Sequence, residues 1–341
     1  MKFDTVYIDG DWLIYNIAYI CEDNYIEVKD LDNNFIDTYA NVTAFKGTLN
    51  KDKLVNYKDL FLIEQKKKLK DGNQYSKAVF SIKAKIRSIL KETNATKAII
   101  ALGGDSNFRN ELLLPVKYKG NRKDIQKPLM HPIIRKWVED NCEIEIAQDE
   151  EADDIISKRQ YEGYLNKKII VCTEDKDARG TPGYLYNPNS KKIIFIDGLG
   201  KHELVQKTNK NVLYGTGRCW EYLQILMGDK VDFYHPQDLL TKTSIQNKRS
   251  NIKKSVPKLS DTKLYECTKN FTTDKQWFQF IHDMYYTWYK DLEWYYTWDD
   301  YKVEDIDYLD LLQTYWLCVH MRRWDNDAPN IVDTLKKQNI L

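Results

Sequence analysis

The chain has 341 residues, 42% of them hydrophobic and 30% charged, with a formal net charge of +1. That length allows one large domain or two smaller ones with ample core, and that composition excludes a disordered chain. A net charge so close to zero means that any basic patch is local and offset by acid elsewhere.

Thr5-Val6-Tyr7-Ile8 reads as a short strand that ends at Asp9-Gly10-Asp11, with a helix starting at once from Trp12. This opening reads as fold rather than signal peptide, and no apolar run reaches membrane-spanning length. Residues 22–75 are polar and read as irregular, with the run Lys66-Lys67-Lys68 as a solvated face. Val79, Ile82, Ile86, Ile89 and Leu90 then mark one side of an amphipathic helix. It leads to a buried-type strand, Ala98-Ile99-Ile100-Ala101-Leu102, and to Gly103-Gly104-Asp105-Ser106.

Glycine and asparagine make the next stretch a loop, in which Lys117, Lys119, Arg122, Lys123 and Lys127 crowd around Tyr118. Pro128 and Pro132 bracket the start of another helix. Glu150-Glu151-Ala152-Asp153-Asp154 then opens the apolar run Ile155-Ile156 and reads as the first turn of a helix. Glu151 and Asp154 share a face there, and Asp153 points about 100° away from Asp154. An ordinary, well-capped acidic first turn would look the same, because helix N-termini favour negative charge. What favours function is that acidic clusters recur at matching places along the chain.

Lys168-Ile169-Ile170-Val171-Cys172 is a third strand, ending at Glu174-Asp175-Lys176-Asp177. A hairpin fits residues 184–197. A helix around Trp220–Leu226 ends at Gly228-Asp229-Lys230-Val231-Asp232. Beyond 235 the character changes. Residues 241–258 form a basic stretch containing Lys248, Arg249, Lys253 and Lys254, and residues 277–301 are unusually aromatic. Such aromatics either stack nucleobases or pack a helical core or partner face, and their density favours packing.

The six cysteines include no CxxC pair, which is poor spacing for zinc and unlike a disulfide scaffold, so a reducing, cytoplasmic compartment is expected. The five histidines fall in no metal-like or triad-like pattern.

Three strands thus end in acid: Asp9 with Asp11, Asp105, and Asp175 with Asp177. In a parallel α/β sheet the strand C-termini open at one edge, where ligands bind. The acidic segments at 150–154 and 229–232 would add further carboxylates to the same cleft. Oxygen ligation without His or Cys suits a hard cation such as Mg²⁺ or Mn²⁺, and a pair of such ions supports phosphodiester hydrolysis. The basic loop 117–127 would hold the phosphate.

On these residues the chain resembles the 5′-nuclease family of flap endonucleases and 5′-3′ exonucleases, most closely its phage members. The matching pieces are Ile8-Asp9-Gly10-Asp11-Trp12-Leu13, Asp105-Ser106 with Phe108-Arg109, Tyr118-Lys119-Gly120-Asn121-Arg122, Glu151-Ala152-Asp153-Asp154-Ile155, Asp175-Lys176-Asp177 and Gly228-Asp229-Lys230-Val231-Asp232. They stand in the family's order over roughly residues 5–235.

The resemblance implies a Rossmann-like (PIN-like), mostly parallel sheet with flanking helices over residues 1–235; beyond it the residues themselves read as an α-helical region, 236–341, with the basic loop 241–258. It implies two metal sites, with Asp9, Asp105, Glu151 and Asp153 matching the first, Asp154 beside them, and Asp175, Asp177, Asp229 and Asp232 matching the second. Lys119 and Arg122 would act on the scissile phosphate. Arg109, Tyr118, Lys123, Lys248, Arg249, Lys253 and Lys254 would contact DNA. Two Mg²⁺ or Mn²⁺ ions, a DNA duplex with a 5′ end or flap, RNA–DNA hybrids and replication proteins are the implied cofactors and partners. One departure is that Phe233-Tyr234-His235-Pro236 follows Asp232, where the family's glycine-rich helix–hairpin–helix usually begins. The rival readings are a catalytically silent replication scaffold and a PIN-like ribonuclease. The full set of carboxylates speaks against the first and the second-site quartet against the second.

Overall fold

The computed structural model describes residues 1–122, 125–242, 249–252 and 254–341. They divide into two compact units, one of residues 1–10, 89–125 and 144–341, the other of residues 11–88 and 126–143.

The first unit is built on a six-stranded sheet. Its order is Ile144–Ile146, Ala95–Leu102, Phe3–Asp9, Ile169–Cys172, Gly183–Asn187 and Lys192–Ile196. The first five strands are parallel, and the last closes the edge as an antiparallel hairpin. The parallel pattern expected from the sequence is therefore present, as is the hairpin expected at 184–197. Asp9 pairs in register with Ala101, and Ile8 with Cys172, so the acidic strand ends open at one edge.

Helix Ala152–Asn166 packs Ile155 and Ile156 against Tyr7, Val171 and Leu185 of this sheet. Residues 236–341, set apart in the sequence as a region of their own, fall in the same unit and share a core with helix Arg218–Met227. That core takes up much of the aromatic stretch, while Tyr286, Trp298 and Tyr301 stay exposed. Trp277, Tyr285 and Tyr289 of helix Asp274–Tyr289 have no exposed surface, and Tyr295 has almost none. Each such side chain contributes roughly 1.5–3 kcal/mol through burial. Packing is what these four buried residues do.

The second unit corrects the irregular reading of residues 22–75. Glu22–Lys29, Phe35–Tyr39 and Leu62–Leu69 form a three-stranded antiparallel sheet over a small core of Ile26, Val28 and Phe45. Much of it is exposed, which blurs the alternation that marks a strand. Its lysines form cross-strand pairs, Lys29 with Glu64 at 2.9 Å and Lys66 with Glu27 at 3.7 Å, so the basic run is one side of a charge ladder. Helices Gln74–Thr93 and His131–Asn141 stand where the apolar spacing and the prolines indicate.

Gly104 carries the chain past the end of Ala95–Leu102, and a Cβ there would lie 2.0 Å from the carbonyl oxygen of Ala147. Gly104→Ala must push two backbone segments of the sheet edge apart. It is expected to lower stability by about 1–3 kcal/mol, read from the urea-unfolding midpoint.

Candidate metal centre

The acidic edge of the first unit is assembled from four pieces of chain. Strand Phe3–Asp9 delivers Asp9, whose Oδ2 accepts a hydrogen bond from Thr173 Oγ1 at 2.8 Å. The turn after Ile169–Cys172 delivers Asp175 and Asp177. The turn is folded by its own hydrogen bonds, Asp175 N–H to Thr173 Oγ1 and Asp177 N–H to Asp175 Oδ1. Helix Ala152–Asn166 delivers Glu151 as its N-cap and Asp153 in its first turn. The tight loop after helix Arg218–Met227 delivers Asp229 and Asp232. Gly228 enters it at φ +71°, and Asp229 and Tyr234 exchange backbone hydrogen bonds across it.

Carboxylate oxygens of Asp177, Asp229 and Asp232, all three buried, lie within 4.8 Å of one another. This oxygen-only donor set fits a hard divalent cation. Asp153 is held well above the usual carboxylate range, first by burial and then by the charges of Asp175, Asp9 and Glu151. Asp177 is pushed up to about 6, by burial and then by Asp175. Asp232 is also raised by burial, with Asp229 and Glu151 adding to it and Lys119 opposing. Asp175 thus acts on both Asp153 and Asp177, and Glu151 on both Asp153 and Asp232, so the two expected sites share one electrostatic field. Asp105 is exposed in the bend after Ala95–Leu102 and has no hydrogen bond or ion pair among the described residues.

Three basic side chains and a phenol meet this field. The Tyr118 hydroxyl lies 2.9 Å from Glu151 Oε2 and 3.3 Å from Asp232 Oδ2, tying the two acidic segments together. Its side chain is buried, which corrects the expectation that it contacts DNA. Lys119 Nζ donates to Glu151 Oε1 and lies 3.7 Å from Asp232 Oδ1; Arg122 Nη2 donates to Asp232 Oδ1 at 2.9 Å. The backbone fixes this arrangement. Lys119 is left-handed, φ +51°, and its N–H donates to the Asp232 carbonyl at 2.9 Å. Lys176 was missed in the sequence. Its Nζ donates to Asp229 Oδ2 and lies 3.1 Å from Asp177 Oδ1, inside the acidic triad. Gln224 was missed too, and it donates to Asp177 Oδ1 at 2.6 Å.

Two expectations require correction. Arg109 has no exposed surface, so it cannot be a DNA contact. Asp154 is its partner, accepting Nη1 on Oδ2 at 2.5 Å and Nη2 on Oδ1 at 2.9 Å, and so is not available as a metal ligand. Asp154 also accepts from the backbone N–H groups of Glu151 and Arg322. Burial alone would raise its carboxyl, but Arg109 outweighs burial and brings it to about 2. Of the residues in the basic stretch, Arg249 pairs with Asp300 at 3.1 Å and Lys254 with Asp291 at 2.5 Å. Lys123, Lys248 and Lys253 lie outside the described residues.

One family model agrees with the motifs. The family model of the 5′-3′ exonuclease N-terminal, resolvase-like domain matches residues 53–181. The resemblance to the 5′-nuclease family is borne out over that stretch. Among solved structures, the bacteriophage T5 D15 protein co-crystallised with metal ions is similar at 14% identity and TM-score 0.47, over 98% of this chain and 96% of that one. The T5 D15 flap endonuclease in complex with DNA and metal ions is similar at 15% identity and TM-score 0.45, over the same shares. No curated protein sequence matches the chain. No helix among the described residues is long and apolar enough to cross a membrane, and the six cysteines are free.

The Arg109–Asp154 pair gives a stability prediction. Arg109→Met leaves a buried carboxylate without its partner and is expected to cost about 3–5 kcal/mol in urea unfolding at pH 7, most of it recovered in Arg109→Met/Asp154→Leu. Because the folded carboxyl is depressed to about 2 from 3.8, the pair's stabilisation is complete above pH 3.8 and fades as pH falls towards 2. Equal stability of Arg109→Met and the parent at pH 7 would contradict this account.

Proposed function

We propose that this chain, whose residues 53–181 match the 5′-3′ exonuclease N-terminal domain, is a divalent-cation-dependent nuclease that hydrolyses DNA phosphodiesters at or near a 5′ end. The observation that carries the reading is a charge count. Among the described residues, the connected field holds the carboxylates of Asp9, Glu151, Asp153, Asp175, Asp177, Asp229 and Asp232 against the cations Lys119, Arg122 and Lys176. With all seven ionised, as bound cations would leave them, seven acids and three bases carry four net negative charges, the complement of two divalent cations; Arg109, 3.7 Å from Glu151, is neutralised by Asp154. A replication scaffold has no use for such repulsion, and a PIN-like ribonuclease needs fewer acids.

Asp177, Asp229 and Asp232, with Asp175, would hold one ion; Asp9, Glu151 and Asp153 would hold the other, with Asp105 at its margin. Mg²⁺ and Mn²⁺ fit these ligands, and such ions, once bound, supply an activated water and neutralise charge on a phosphate. The remaining chemistry belongs to the chain. Lys119 and Arg122 sit on the rim, Arg122 with its side chain 43% exposed, where each can exchange a carboxylate for an incoming phosphate. Tyr118 holds the Glu151 and Asp232 segments at fixed separation beneath them. DNA flaps, nicked duplexes and RNA–DNA hybrids are the substrates to compare, in the setting of replication or primer removal in a cytoplasm, that of the host if the chain is phage-encoded.

The deciding experiment follows cleavage of 5′-labelled flap, nicked-duplex and hybrid substrates with and without Mg²⁺. The expected outcome is short 5′ products that require the metal. Asp153→Asn should abolish cleavage while leaving DNA binding intact or tighter, since it removes one ligand charge from a repelling group. Cleavage by that variant within a few-fold of the parent would overturn the assignment.

Lys119 separates two roles in single-turnover rates at saturating enzyme. A donor aimed at charge developing on the phosphate contributes ~3 kcal/mol, so Lys119→Ala should lose a hundredfold or more in rate. A contact that only gathers DNA is instead restored by saturation or low salt. Recovery of the parent rate under those conditions would remove Lys119 from the chemistry.

A further inference from the structure

Lys176 is the one member of the acidic field with no role in the scheme above. It lies between Asp175 and Asp177 and begins the short 3₁₀ turn Asp177–Gly180. Its ammonium donates to Asp229 Oδ2 and lies 3.1 Å from Asp177 Oδ1, and these residues are two of the three whose oxygens converge within 4.8 Å. Other donors share these two carboxylates with the ammonium. Asp229 Oδ1 accepts the Val231 N–H at 2.7 Å, and Asp177 Oδ1 also accepts from Gln224. A cation that takes Asp177 Oδ1 or Asp229 Oδ2 must therefore displace the ammonium that now holds them. The lysine can yield it, because its side chain is 34% exposed while the two carboxylates are buried.

We propose that Lys176 is a built-in competitor at this site, its ammonium and a divalent cation holding Asp177 and Asp229 in alternation. The inference rests on the metal reading given above and adds regulation to it. With no cation present, the ammonium screens the buried acids and keeps the turn folded. When a cation takes the oxygens, the ammonium is released but stays tethered beside the site, facing whatever anion enters. A phosphodiester is the partner that chemistry supplies, so cation occupancy and nucleic-acid binding are coupled through one side chain. Coupling of this kind ordinarily amounts to about 5–150-fold in affinity, and it is reciprocal.

The test is a Mn²⁺ titration of the full chain without DNA, with free Mn²⁺ followed by electron paramagnetic resonance. Lys176→Met and Lys176→Gln are expected to bind the ion at Asp177 and Asp229 roughly tenfold or more tightly than the parent, and Lys176→Arg about as tightly as the parent. The same variants should show a larger Mn²⁺-induced rise in Tm. This second reading covers a variant that is poorly folded without metal, since the proposal expects metal to restore it. Asp177→Asn serves as the control that marks the site. If Asp177→Asn loses an ion that Lys176→Met and Lys176→Gln bind no better than the parent, the competitor role is overturned while the metal site stands. If Asp177→Asn loses no ion, the metal reading itself fails and the proposal falls with it.

Discussion

A guanidinium with no exposed surface fixes the geometry on which the acidic site depends. Arg109 binds Asp154 through both terminal nitrogens and also donates to the carbonyl oxygens of Cys318 and His320. Taking two charges out of water costs more than their attraction returns unless the remaining donors and acceptors are also satisfied. Here they are satisfied by backbone from the far end of the chain, including the Arg322 N–H on Asp154. The segment 318–327 continues as a clasp. Arg323 reaches Glu221 at 2.5 Å, His320 Nε2 lies 2.9 Å from Asp327, and Arg322 and Lys158 both meet Glu150. Helix Ala152–Asn166 and helix Arg218–Met227 are thereby held to one segment. The first carries Glu151 and Asp153; the second leads into Asp229 and Asp232. The spacing between the two acidic groups is set by a part of the chain that contributes no acid to either.

That rigidity is what makes the repulsion possible. Carboxylates on mobile loops would separate, whereas these are anchored by the Thr173 hydroxyl, by Gln224 and by the turns they themselves close. The raised Asp153, Asp177 and Asp232 record the same constraint as energy. Burial withholds water from groups that cannot move apart, and the fold stores a standing preference for added positive charge. Lysines and an arginine meet part of that preference from within the chain.

The sequence disclosed the sheet and most of the acids because both follow local rules. Apolar runs such as Ala98–Leu102 and Lys168–Cys172 mark buried parallel strands, and acids directly after them must lie at one edge. It did not disclose depth. Arg109, beside Asn107 and Asn110 in a loop, has the appearance of a phosphate ligand, and only its pairing with residues more than two hundred positions away shows that it is buried. Lys176 stood in plain view between two aspartates. A lysine between acids signals an exposed pair as readily as a competitor, and only the folding of the turn tells them apart. The sheet of residues 22–69 was hidden for the opposite reason, since its half-exposed strands follow no clean alternation and its charged residues pair across them.

The first turn of helix Ala152–Asn166 shows why four clustered carboxylates need not share one job. Successive helical residues are about 100° apart, so neighbours in sequence face different surroundings. Glu151 caps the helix and meets Lys119 and Tyr118 on the site side. Asp153 faces Asp9 and Asp175 and is pushed up by them. Asp154, the next residue, faces Arg109 and is pulled down to about 2. Glu150, just ahead of the turn, pairs with Lys158 and Arg322. Adjacent aspartates of identical chemistry are thus driven in opposite directions by their partners, one towards holding a proton or a metal and the other towards a permanent charge. The acidic turn is at once the structural anchor of the helix and the working edge of the site, and removing the anchor's guanidinium would disturb both.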